Sequence, residues 1–125
     1  MTSPGRLDVD VEGLRSSDGL IQACLTRQAD HFPDCDGDPN AVRRTIRANA
    51  PDSLAFANLP SGSYALSIIH DENANDRLDR FAGIPREGIG FSRNPAFTFG
   101  PPRFSAARFA VSGAEAITVR MRYFL

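Results

Sequence analysis

Leu7, Val9 and Val11 alternate with Asp8, Asp10 and Glu12, a strict period of two that puts apolar side chains on one face and carboxylates on the other. The pattern recurs in short pieces: Leu20 to Leu25, Val42 to Arg47, Leu54 to Leu59, Tyr64 to His70, Phe104 to Val111 and Ala116 to Tyr123. Turn-forming residues separate the pieces, notably Gly13 to Gly19, Pro60-Ser61-Gly62 and Gly113. Helical periodicity is almost absent. About seven strands are expected, in a single antiparallel β-sandwich of immunoglobulin or transthyretin-like (prealbumin-like) type. Hairpins are expected between the first two strands and, more firmly, between Ser53–Leu59 and Ser63–His70.

A chain of 125 residues suits one domain. We place a tail at residues 1–6, the domain at 7–125, and inside it a long loop at 71–103. That loop is rich in Gly and Pro but carries Ile84, Ile89, Phe91, Phe97 and Phe99, apolar anchors that a disordered linker lacks. The formal net charge of -1 gives no field to attract nucleic acid or anionic lipid, and no apolar run approaches bilayer length. The arginines at 43, 44 and 47 read as a charge-protected edge strand rather than a phosphate site.

Cys24 and Cys35 are the only cysteines. Two free buried thiols are one reading and a disulfide is the other; the polar turn around Cys35, from Phe32 to Pro39, offers a lone cysteine little to pack against and favours the bond. A disulfide implies an oxidising compartment.

The stretch His70-Asp71-Glu72-Asn73-Ala74-Asn75-Asp76-Arg77-Leu78-Asp79 carries the chemistry. Asp71, Asn73, Asn75 and Asp79 offer side-chain oxygens at alternating positions and Arg77 a backbone carbonyl, the donor set a hard cation such as calcium takes. The sixth position of this loop, glycine in an EF-hand, is Asp76, and the twelfth, the bidentate glutamate, is Ala82. A further ligand is therefore expected from Glu87 or Glu72. The alternative is a metal-free loop in which Asp and Asn side chains bond their own backbone.

An enzyme reading, a small hydrolase or lyase, would use His70, Asp71 and Glu87. It lacks a nucleophile in any recognisable context and a cofactor motif. A third reading is an accessory domain without a ligand. Phe91, Arg93 and Asn94, with Phe97, Phe99 and Phe104, form a candidate surface for a protein or carbohydrate ligand if exposed; buried, the phenylalanines would plug the end of the sandwich.

Several stretches in series, Gly13-Leu14-Arg15-Ser16, Phe56 to Ala65, HDENANDRLD, Gly83 to Ser92 and Phe99 to Phe104, resemble the bacterial family catalogued as domain of unknown function 2141, over about Leu7 to Tyr123. The resemblance implies a small exported β-sandwich, periplasmic or extracellular, with no established activity. Relatives usually place glycine where this chain has Ala74 or Asp76. Met1 to Gly5 lack a basic start and hydrophobic centre, so an export signal is expected to have been removed ahead of this sequence. The Leu59-Pro60-Ser61-Gly62-Ser63-Tyr64 segment also resembles that of carboxypeptidase-regulatory and transthyretin-like domains, which bears on fold alone.

Overall fold

The computed structural model describes residues 5–33, 35, 37–72, 80–81, 84–85, 88–96 and 102–123. Their regular secondary structure is almost entirely β. Strands β1 (Gly5–Glu12), β2 (Leu20–Thr26), β3 (Val42–Arg47), β4 (Leu54–Leu59) and β5 (Gly62–Asp71) follow in order, with one 3-10 turn at Ala29–His31. Two-residue strands β6 (Arg80–Phe81) and β7 (Ile84–Pro85) pair with each other; β8 (Gly88–Phe91), a single helical turn α1 (Phe104–Ala107), β9 (Phe109–Val111) and β10 (Ala114–Arg120) complete the order.

Two open sheets result. One runs β10-β1-β4, the other β3-β2-β5-β8, with β9 added to the start of β5. β1 is parallel to β10 and antiparallel to β4; β2 is antiparallel to both β3 and β5. Leu7, Val9, Val11, Leu54 and Phe56 of the first sheet and Ile21, Leu25, Leu66 and Ile68 of the second belong to one buried cluster, so the sheets face each other across a shared core. The alternation at β1 does what its period dictates: apolar positions are buried and the acids exposed.

The hairpins, however, are arches. β1 and β2 lie in different sheets, and so do β4 and β5. Turn residues dictate that the chain reverses; they do not dictate that it reverses within one sheet. At the β4–β5 arch the Tyr64 hydroxyl donates to the carbonyl of Pro60, four residues upstream, and pins the crossing. Two further expectations are corrected. Residues 104–107 form a helical turn where a strand was expected, and the 71–103 stretch contains β8, a strand with a full register against β5 from Ser67 to His70.

β5 is buried on both faces. Ala65 and Phe91, with Ala107 of α1 and the half-buried rings of Phe32 and Phe104, make a second small core on the outer side of the five-stranded sheet. Phe32 tilts against Phe91 and meets Phe104 edge-on, with centroids 5.7 and 6.0 Å apart. The Ser92 hydroxyl accepts from Leu66 N–H and donates to the Ala107 carbonyl, clipping α1 to β5. Cys24 and Cys35 form a disulfide, Cα atoms 6.5 Å apart, which ties the chain just after Phe32 back to β2 beside this second core. The Ser67 hydroxyl donates to the Pro33 carbonyl in the same layer.

Candidate functional site

β5 ends in His70 and Asp71, and alternation sends their side chains to opposite faces. His70 is wholly buried on the core side. Its Nε2 lies 2.8 Å from the Asp18 carbonyl, which only accepts, so Nε2 carries hydrogen. Nδ1, 2.6 Å from the Tyr123 hydroxyl, is then the acceptor in the singly protonated ring, and Tyr123 the donor. Tyr123 in turn accepts the Arg15 N–H at 3.2 Å. The Arg15 guanidinium stacks 4.5 Å from the Tyr123 ring centroid and grips Glu72, Nε to Oε1 at 2.7 Å, while the Ser16 hydroxyl holds Oε2 at 2.8 Å. Burial pushes the Tyr123 phenol up from its ordinary value. Arg15 first, with Ser16 in support, holds the Glu72 carboxyl below the usual range against the cost of its burial.

These contacts plug one end of the molecule, joining the β1–β2 arch, the start of the long loop and the chain after β10. Two local features of sequence allow it. Gly19, at φ +76°, brings the arch so close that a Cβ there would collide with the Asp71 carbonyl. Gly88 and Gly90 leave one face of β8 bare, and the Tyr123 ring, Met121 and Val119 occupy it; a Cβ on Gly90 would stand 2.7 Å from Val119 Cγ1 and 2.8 Å from Met121 Sδ.

Asp71 is also wholly buried, on the outer side of β5, where Gln22 Nε2 donates to Oδ2 at 3.3 Å. Of the expected cation ligands it alone lies within the described residues; Asn73, Asn75, Arg77, Asp79 and Glu87 fall outside them. Glu72, the other reserve ligand, has both oxygens committed to Arg15 and Ser16. Among the described residues no group of three or more His, Cys, Asp or Glu is placed to hold a metal ion.

The expected ligand surface is dispersed. Phe91 is buried in the second core, so it presents no face to a partner. Asn94, at φ +50°, aims its amide at the outer edge of β10: Nδ2 donates to the Thr118 carbonyl at 3.1 Å and Oδ1 accepts the Arg120 N–H at 2.7 Å. Arg93 is exposed, and its guanidinium donates to the Arg108 carbonyl at 3.4 Å. Phe97 and Phe99 lie outside the described residues. Sequence reasoning missed Tyr123, Arg15, Ser16 and Gln22 as partners of the His70–Glu72 segment. Their one signal was that Arg15 and Ser16 sit in a family-like stretch.

Two open sheets around one core, a second core stapled by a disulfide and a polar plug at the mouth of an acidic loop define a small all-β domain of sandwich-like build. The chain belongs to the bacterial family of uncharacterized conserved proteins designated domain of unknown function 2141, whose profile matches residues 9–119. Neither a curated protein nor a solved structure gives a significant match.

Proposed function

We propose that this chain is an exported, non-enzymatic β-sandwich module of immunoglobulin or transthyretin-like type that binds calcium through its 71–79 loop and serves binding or structure at the cell envelope. The observation that carries the reading is Asp71. A carboxylate with no solvent exposure stands at the last residue of β5, oriented by Gln22, directly ahead of Asn73, Asn75 and Asp79. A carboxylate held in place inside the protein by hydrogen bonds, that of Gln22 among them, is a pre-oriented oxygen donor for a cation drawn into the adjoining loop. The Cys24–Cys35 disulfide supports residence in an oxidising compartment. The Tyr64–Pro60 corner and the parallel β1–β10 pair support the finer fold assignment.

The hydrolase or lyase reading draws less support from the same residues. A general base needs an open nitrogen within reach of substrate. Both nitrogens of His70 are engaged inside the protein and its ring has no accessible surface.

A thermal melt in chelator and in millimolar calcium tests the proposal. A site that exists only in the folded state raises the midpoint with the logarithm of free ligand, by several degrees when calcium is well above its Kd. Asp71→Asn should abolish that rise. Identical midpoints with and without calcium in the parent protein would leave the ligand-free accessory domain as the surviving reading.

A further inference from the structure

The strand edges of this molecule are treated unequally. The outer edge of β10 is closed by the Asn94 amide and, beyond it, by a two-way backbone pairing of Arg122 with Ile89 of β8. β3 and β4 are terminal strands of their sheets and, among the described residues, no further strand pairs with their outer edges; on β3 the Arg47 carbonyl accepts the Ala50 N–H and the Arg43 carbonyl accepts the Arg44 guanidinium, which leaves the backbone of Thr45 between them open. These two edges lie on the same side of the molecule. Arg44 of β3 reaches across the mouth between the sheets to lie over the Phe56 ring of β4, 5.7 Å from its centroid.

Their outward faces are complementary. On β3 the register against Cys24, Gln22 and Leu20 puts Arg43, Thr45 and Arg47 outside, all exposed. On β4 the outward residues are Ala55 and Ala57, and Ala55 is in register with Asp8 on β1. Asp8, Asp10 and Asp52 rim a shallow hollow of about 230 Å³ that also involves the short side chains of Ala116 and Thr118; Arg6 grips both oxygens of Asp8, so Asp10 and Asp52 carry its acidity. An edge without charges is an unguarded template for pairing, and arginines on the neighbouring edge guard it against its own kind but not against an acidic surface.

We infer that a second copy of this chain docks on this side about a twofold axis along the strands, with β3 of each copy beside β4 of the other. β3 runs with β5, because β2 is antiparallel to both; β4 leads into β5 through a tight turn and runs against it. β3 and β4 are therefore opposed in direction, and an axis along the strands preserves that, so the new pairs are antiparallel. Arg47, the last residue of β3, then meets the start of β4. Its side chain crosses the small Ala55 toward the acidic hollow two strands away, about 9.6 Å at the usual strand spacing, a span that an arginine and an aspartate bridge between them. The backbone groups still open on both edges find partners at once, and an isologous contact closes at two copies. The two Arg44 side chains approach each other across the axis, which keeps the dimer weak.

Sedimentation velocity of the full chain over a concentration series, at low and at high salt, tests this. The expected result is a monomer–dimer equilibrium at low salt that loosens as salt screens the Arg47–acid contacts. Arg47→Glu should weaken dimerisation by about tenfold or more, as should Ala55→Lys, which fills the gap on β4 with a cation. Combining Arg47→Glu with Asp10→Arg should restore it, and Arg44→Gln should tighten it. Circular dichroism checks that each exposed variant is folded. A monomer at all concentrations in low salt overturns the inference, and so does a dimer indifferent to both Arg47→Glu and Ala55→Lys.

Discussion

Tyr123 is the residue on which the end plug turns, since its one hydroxyl serves a donor from the backbone and an acceptor on His70. Tyr123→Phe keeps the ring that fills the space over Gly88 and under Arg15 and removes only the oxygen. His70 Nδ1 is then a buried acceptor without its donor, and the expected cost is about 1–3 kcal/mol, read from urea unfolding. Glu72 adds a pH dependence. Its carboxyl in the folded protein sits below the ordinary glutamate value of about 4.3, chiefly because of Arg15. The Arg15–Glu72 contact therefore contributes stability that is complete above that ordinary value and is lost as pH falls through the lower folded one. Arg15 is 40% exposed at its side chain and Glu72 25%, so solvent screens the pair and its contribution stays below about 1 kcal/mol. Glu72→Gln should flatten that acid-side slope without altering stability changes on the alkaline side. None of this pairing was legible in sequence: Arg15 and Glu72 are 57 positions apart, and only the fold makes them neighbours. Of Asp71 only its place at the end of an apolar strand was legible; its burial and its bond to Gln22, 49 positions away, follow from the fold.

At the scale of the element, alternation predicted strands well wherever one face is buried and the other wet, as in β1. It failed at β8, whose sequence Gly88-Ile89-Gly90-Phe91 alternates glycine with apolar residues and so lacks the polar face that marks a half-buried strand. The glycines there make room for the chain after β10, and that reason is visible only once Val119 and Met121 are in place. Turn signals likewise placed the reversals but not the sheets they lead into. Asn94 shows how an edge is finished by a side chain: its amide presents an acceptor and a donor to β10 as a neighbouring strand would. Asn94→Gly keeps the left-handed backbone accessible and deletes the amide. The expected loss is about 1–2 kcal/mol, and hydrogen exchange at the Arg120 amide should accelerate while the amides of β2 keep their protection.

For the whole molecule, the two cores are held by different means. The main core is assembled from strands distant in sequence, β1 against β10 and β4 in one sheet and β2 against β3 and β5 in the other, and packs without covalent help. The second core is thin: Ala65, Phe91 and Ala107, roofed by Phe32 and Phe104. Phe32 enters that roof from a segment whose described residues hold one 3-10 turn, tied down by the Cys24–Cys35 bond, the Ser67–Pro33 hydrogen bond and the Thr26–Asp38 contact at 2.6 Å. The disulfide closes a loop of sequence separation 11, for which restriction of the unfolded chain is worth roughly 3 kcal/mol. Cys24→Ser with Cys35→Ser should cost about that much in global stability, and the damage should be uneven. Without the bond Phe32 and Pro33 lift from β5 first, exposing Phe91, while the main core keeps its packing. Binding of a hydrophobic dye and rapid exchange at the His31, Phe32 and Cys35 amides should therefore appear at denaturant concentrations where the amides of β1 and β10 are still protected. Simultaneous loss of protection in both regions would mean that the two cores are one cooperative unit and that the disulfide supports the whole of it.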